Sequence, residues 1–219
     1  MIVIGLDLAG PSNHKDTVLT VFKKSKNHLT FHKMISNISD EKILNEVIEL
    51  SRIDEVVIGI DAPLSYEDGG GDRTSDKELR KYIVSLGMKS GSIMTPTFTR
   101  MVYLTLRGIK LTREIEKLKT IFPIYIVEVH PGAAMGARVS KIEMEYVLTY
   151  KQNLSSREYL KNWFNQQNVI GLPTGVEKES HSIDSCAAAL AAWHWADQSL
   201  KPKWIFPSIH PLHPYDYCC

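Results

Sequence analysis

The sequence predicts an α/β fold, a mixed five-stranded sheet flanked by helices, and three features carry that prediction. Short apolar runs suited to strands buried on both faces end in an acid at Asp7, Asp61 and Glu128. Two alternating segments and one segment of helical spacing separate the first two runs. After the third run the pattern turns helical, and it closes on an Ala-rich stretch opened by Asp184.

Taken in order, Ile2 to Leu6 is the first apolar strand, and Gly10-Pro11-Ser12-Asn13 is a cluster of turn formers. Thr17 to Phe22 and His28 to Met34 alternate, with a polar turn over Lys23 to Asn27, so three strands in succession form an antiparallel meander. Ile43, Leu44, Val47, Ile48 and Leu50 recur at helical spacing over Asp40 to Ser51, behind Asn37 or Ser39 as cap. A helix there makes Val56 to Ile60 a parallel neighbour of the first strand, reached by a right-handed crossover. Gly69-Gly70-Gly71 marks a long loop, and Ser75-Asp76-Lys77-Glu78 reads as a capping box opening a helix to about Leu86. Phe98 to Lys119 is helical with a weak point at Gly108. Pro123 precedes the strand Ile124 to Val129, Pro131 stops it, and Ala133 to Gln167 holds two or more helices. Ser180 or Ser182 caps a last helix through about Gln198, and four prolines extend the tail. The expected organisation is one domain over 1–219, with a helical insertion over about 63–122 and an extended tail over about 200–219.

Composition narrows the functional classes. Apolar residues make up 43% and charged ones 23%, as in ordinary globular domains, and a formal net charge of +1 gives no global case for nucleic-acid or anionic-membrane binding. Charge is segregated locally: Arg100 to Lys119 holds six basic and two acidic residues. Three cysteines suit a reducing compartment, no apolar run reaches membrane-span length, and the first strand meets Asp7 too early for a leader peptide. The expectation is a cytoplasmic protein with no membrane association and no protein partner.

This order of elements is that of the ribonuclease H-like fold. Gly5-Leu6-Asp7-Leu8-Ala9, Ile60-Asp61-Ala62-Pro63-Leu64-Ser65, Arg73-x-x-Asp76-x-x-Leu79-Arg80, Glu128-Val129-His130-Pro131 and Asp184-Ser185-Cys186-Ala187-Ala188 resemble, in order, the motifs of a domain-of-unknown-function family. Its members are described as predicted nucleases of ribonuclease H-like fold. The resemblance runs from Gly5 to about Trp195 and implies that fold and a nuclease activity. Pro63 to Pro123 is longer than the minimal fold needs. Ser185-Cys186 stands where family members often carry Ala-Ala or Ala-Leu, and both replacements are small.

The chemistry is arguable from the residues as well. Carboxylates at the ends of buried strands are costly unless a cation compensates them, and hard oxygen donors suit Mg²⁺ or Mn²⁺. Asp7, Asp61, Glu128 and Asp184 are the expected catalytic and metal-binding set, in the arrangement that two-metal phosphodiester hydrolysis uses. His130 and His181 lie beside two of these acids, and Arg73, Arg100 and Arg107 are candidates for contacts to phosphates of a nucleic-acid substrate. Each acid also has a structural reading: a helix cap at Asp184, a turn at Asp61, a buried ion pair at Glu128. The alternative function is a nucleotide-binding or non-catalytic module on the same fold, since Asp7-Leu8-Ala9-Gly10 resembles the first phosphate loop of actin-like kinases. Against it, the chain has no second Gly-rich loop after a strand. Leu8-Ala9 after Asp7 excludes phosphatases that use two Asp one residue apart.

Overall fold

A computed structural model describes residues 1–219. Eight strands form one mixed sheet: β1 (Ile2–Asp7), β2 (Val18–Ser25), β3 (His28–Ser36), β4 (Val56–Asp61), β5 (Ile124–Val129), β6 (Val169–Ile170), β7 (Ile205–Phe206) and β8 (Tyr217–Cys218), in the order β6-β3-β2-β1-β4-β5-β8-β7. The meander is antiparallel, and β4 and β5 add in parallel beyond β1. The sheet has eight strands rather than the expected five. The additional three are two-residue strands, too short to show any periodicity. β6 joins the outer edge of β3 after a helix, and the Pro-rich tail folds back as β7 and β8 against β5.

Helices cover both faces. α1 (Asp40–Ser51) starts where Ser39 accepts a hydrogen bond from the Lys42 amide at 3.4 Å, while Asn37 takes a left-handed φ of 54°. Between β4 and β5 lie α2 (Thr74–Ser85) and α3 (Val102–Glu116). The capping contact of α2 is made two residues earlier than the sequence suggested, from the Arg73 amide to Asp76 at 2.9 Å. Gly108 does not break α3. A Cβ there would lie 2.9 Å from the Pro63 carbonyl, so glycine lets the helix touch the loop after β4.

Three helices follow β5, within the expected two or more: α4 (Pro131–Gly136), which begins at Pro131 itself, α5 (Met144–Thr149) and α6 (Leu154–Gln166). α7 (Ser180–Ala196) comes last, and neither Ser180 nor Ser182 caps it; its N-cap is Glu179, with no side-chain bond. Ile2, Ile4 and Leu6 point to one face and pack with Ile43, Val47, Leu111 and Ile115 of α1 and α3. Val3, Val57 and Val127 point to the other, against Ala187, Ala188 and Ala191 of α7.

α7 lies directly on the sheet because two strands lack side chains beneath it. Gly5 and Gly59 are register partners across β1 and β4. A Cβ at Gly5 would stand 1.8 Å from the Ser185 carbonyl oxygen, and one at Gly59 would stand 2.6 Å from that of Ala188. Gly5→Ala is therefore expected to cost about 3 kcal/mol or more in urea denaturation, since neither backbone can yield freely. Gly10→Ala, with nothing within 4 Å of its Cβ position, should change stability by less than about 1 kcal/mol. Equal small effects at both positions would contradict the close approach.

Candidate functional site

Side chains alternate along a strand, so Gly5 and Asp7 share a face, as do Gly59 and Asp61. The helix that rests on the glycines therefore reaches the aspartates with its first turns. Asp7 and Asp61 are register partners at the C-terminal ends of parallel strands. Asp184, the fifth residue of α7, sits past the capping positions and is 1% exposed. Together these three acids line a cleft of about 400 Å³.

Each acid is held differently. Asp7 accepts a hydrogen bond from Nδ1 of His181 at 2.6 Å. Burial pushes the Asp7 carboxyl up to about 6; the His181 contact opposes this and the Asp184 charge adds to it. Burial and then the neighbouring Asp7 and Asp184 hold the Asp61 carboxyl well above the ordinary carboxylate range. Asp184 accepts from the Tyr150 hydroxyl at 2.5 Å and from the Lys151 ammonium at 2.6 Å, one on each oxygen. Burial works against the Lys151 charge, but Asp184, Asp7 and Asp61 outweigh it and raise its pKa. The hydrogen bond to Asp7 likewise raises His181. One oxygen each from Asp7 and Asp184 and one ring nitrogen of His181 lie within 4.8 Å of one another, a spacing that suits a shared cation.

Glu128, next to last in β5, lies in a separate compartment. Arg73 donates to both of its oxygens, at 2.8 and 2.5 Å, and the Leu64 amide donates at 2.9 Å. Arg73 also donates to both oxygens of Asp76, at 2.9 and 2.7 Å, and to the Ser65 hydroxyl at 3.1 Å. All five guanidinium N–H groups are thereby engaged, leaving none for a phosphate. The Tyr217 ring, from the tail strand β8, covers the guanidinium at 5.4 Å. Arg73 and Glu128 line the same cleft, as a closed ion pair in its wall.

The other expected contacts are placed elsewhere. Arg107 is buried and donates to Asp40, the Ala9 carbonyl and Thr17, which pins the loop after β1 to α3. Arg100 is exposed in the turn before α3, outside the cleft lining. His130 caps α4: its Nδ1 accepts from the Ala133 amide at 3.0 Å and its Nε2 meets the Ser92 carbonyl at 3.1 Å. Burial lowers its pKa, in keeping with a neutral ring that carries its proton on Nε2. Sequence reasoning missed Tyr150 and Lys151, which lie between α5 and α6 and belong to no motif. Only chain closure brings them to Asp184.

Removing one partner from a buried ion pair leaves the other uncompensated, at a cost of about 3–5 kcal/mol. Arg73→Met is expected to lose that much in urea denaturation, because Glu128 and Asp76 both depend on Arg73. Full stability in Arg73→Met would mean that the arginine serves a ligand instead.

No helix is long and apolar enough to cross a membrane. No curated protein and no solved structure matches the chain. Residues 5–203 match the family described as "Protein of unknown function (DUF429)", and with that span the chain belongs to this family.

Proposed function

We propose that this protein is a metal-dependent phosphodiester hydrolase of ribonuclease H-like architecture. The observation that carries the reading is the convergence of Asp7, Asp61 and Asp184 at one end of the sheet, under the first turns of α7. The strand order β3-β2-β1-β4-β5 within the larger sheet supports the architecture. The sheet order also reverses at β1, and α/β proteins bind ligands outside the strand ends at such a point.

The donors fit a hard divalent cation. Asp7 and Asp184 offer oxygens within 4.8 Å of one another, and burial, with the neighbouring carboxylate charges added to it, raises the pKa values of Asp7 and Asp61. Mg²⁺ or Mn²⁺ bound there would polarise the phosphoryl group and lower the pKa of a water. Asp7, Asp61 and Asp184 would hold it, with Lys151 released from Asp184 toward the substrate's phosphoryl oxygens. Glu128 stays outside this set, because Arg73 and the Leu64 amide occupy its oxygens.

The chain's own groups supply proton transfer. His181 is about one-third exposed and bonded through Nδ1 to Asp7, so its Nε2 can exchange a proton with water while Asp7 steadies the imidazolium. Lys151 keeps its charge through neutral pH and carries it to the cleft floor.

Phosphodiester hydrolysis is expected to require Mg²⁺ or Mn²⁺ and to stop with a chelator. Asp7→Asn and Asp184→Asn should each lower the rate by about 100-fold or more while the fold is kept. Normal turnover in either variant would sink the proposal.

Asp7 also gives a pH-dependent stability signature in metal-free protein. Its folded pKa of about 6 exceeds the ordinary 3.8, so the folded state is favoured while the group is protonated. That advantage is complete below pH 3.8 and is lost as pH rises through about 6. Asp7→Asn should therefore be more stable than the parent by roughly 1–3 kcal/mol at neutral pH, with the gain vanishing toward pH 4. A stability loss at neutral pH would mark Asp7 as a structural acid.

A further inference from the structure

The cleft lining is chemically mixed. It includes Asp7, Asp61 and Asp184 with Lys151, and also the apolar side chains Met88, Ile93, Met94, Met101, Leu104 and Leu148. Met94 and Leu148 are 43% and 40% exposed, so apolar surface is held open to solvent in a cleft that also holds charged groups. Three methionines in one lining make an adaptable surface whose polarizable sulfurs pack well against flat rings.

Cations are scarce around this opening. Of the basic segment Arg100 to Lys119, no cation lines the cleft, and only Met101 and Leu104 do. Arg73 lines it, but every one of its donors is used. Besides Lys151, this leaves Lys89. A long nucleic acid is held by a track of cations along its phosphates, and the cleft lining holds no such track. The volume of about 400 Å³ lies in the range of pockets that enclose a single small ligand.

We infer, on the basis of the phosphodiester hydrolysis proposed above, that the substrate is a nucleotide-sized phosphodiester. Its phosphate sits over Lys151 and the aspartates, and its flat heteroaromatic ring lies against the methionines of the lining. In the reaction the water oxygen bonds to phosphorus and the ester P–O bond breaks. One water proton passes to the His181–Asp7 pair, and the leaving oxygen takes up a proton, giving a phosphomonoester and an alcohol.

The test measures equilibrium binding by calorimetry on the full chain in EDTA, with three probes: thymidine 5′-(4-nitrophenyl phosphate), dimethyl phosphate and a long duplex DNA. The aromatic diester should bind at least about 10-fold more tightly than dimethyl phosphate, with a log–log salt slope near 1. Met94→Gln with Leu148→Gln should erase that preference without moving the thermal midpoint, because both side chains are substantially exposed. Lys110→Glu with Arg113→Glu should change neither diester. Equal binding of the two diesters by the parent protein overturns the inference. So does tighter duplex binding with a slope of several that falls in Lys110→Glu with Arg113→Glu. Hydrolysis is assayed separately with Mg²⁺ or Mn²⁺. If the binding pattern holds but no diester is cleaved, the hydrolase reading fails and the ligand class stands. If duplex DNA alone is cleaved, the hydrolase reading stands and the ligand class fails.

Discussion

The contact between α7 and the glycines of β1 and β4 is the constraint on which the rest of the structure depends. A helix normally packs on a sheet through a layer of side chains on both sides. Here Gly5 and Gly59 remove the sheet's layer, and Ser185, Ala188 and Ala192 keep the helix's layer thin. The Thr20 hydroxyl meets that of Ser185 at 2.5 Å, so even the polar contact at this seam is between small groups. Close approach is what allows a carboxylate on the second turn of a helix to reach carboxylates at the ends of strands. With larger residues in this seam, Asp184 would be carried away from Asp7 and the cleft would lose its floor.

Two charge compartments share the cleft and are balanced by different means. Glu128 and Asp76 share one arginine whose geometry matches two carboxylates at once and whose five N–H donors are all taken, with Tyr217 closing the third side. That compartment is complete and has nothing left to offer a ligand. The other holds three carboxylates against one lysine and one histidine, and burial first, with the carboxylates' mutual repulsion added to it, raises the pKa values of Asp7 and Asp61. A saturated compartment supplies rigidity, while an unsaturated one supplies affinity for cations.

The parts of the fold visible in the sequence are those with strong local patterns. The runs ending at Asp7, Asp61 and Glu128 announce β1, β4 and β5, and the spacing behind Ser39 announces α1. Two-residue strands carry no such pattern, and prolines in the tail mask the pairing of Tyr217 and Cys218 with β5. The start of α3 slipped from Phe98 to Val102 because Phe98 and Met101 close a turn by their own backbone bonds. At the site, three aspartates stood out by their small or apolar neighbours. Glu128 looked the same locally, but it is the register partner of Ile60 rather than of Asp61. It therefore faces the other side of the sheet, where Arg73, 55 residues away, takes it up. Lys151 was illegible because a lysine in a polar loop resembles any solvated lysine until α5 and α6 fold it over Asp184.

The pairing of Gly5 with Gly59 and of Asp7 with Asp61 rests on one and the same alignment of β1 with β4. Slipping one strand by a single residue would turn isoleucine or leucine side chains toward the helix and turn an aspartate into the opposite apolar layer. α7 could then find no seat. The seat of α7 and the pairing of the carboxylates are thus one requirement, and a register that met only one of them does not exist.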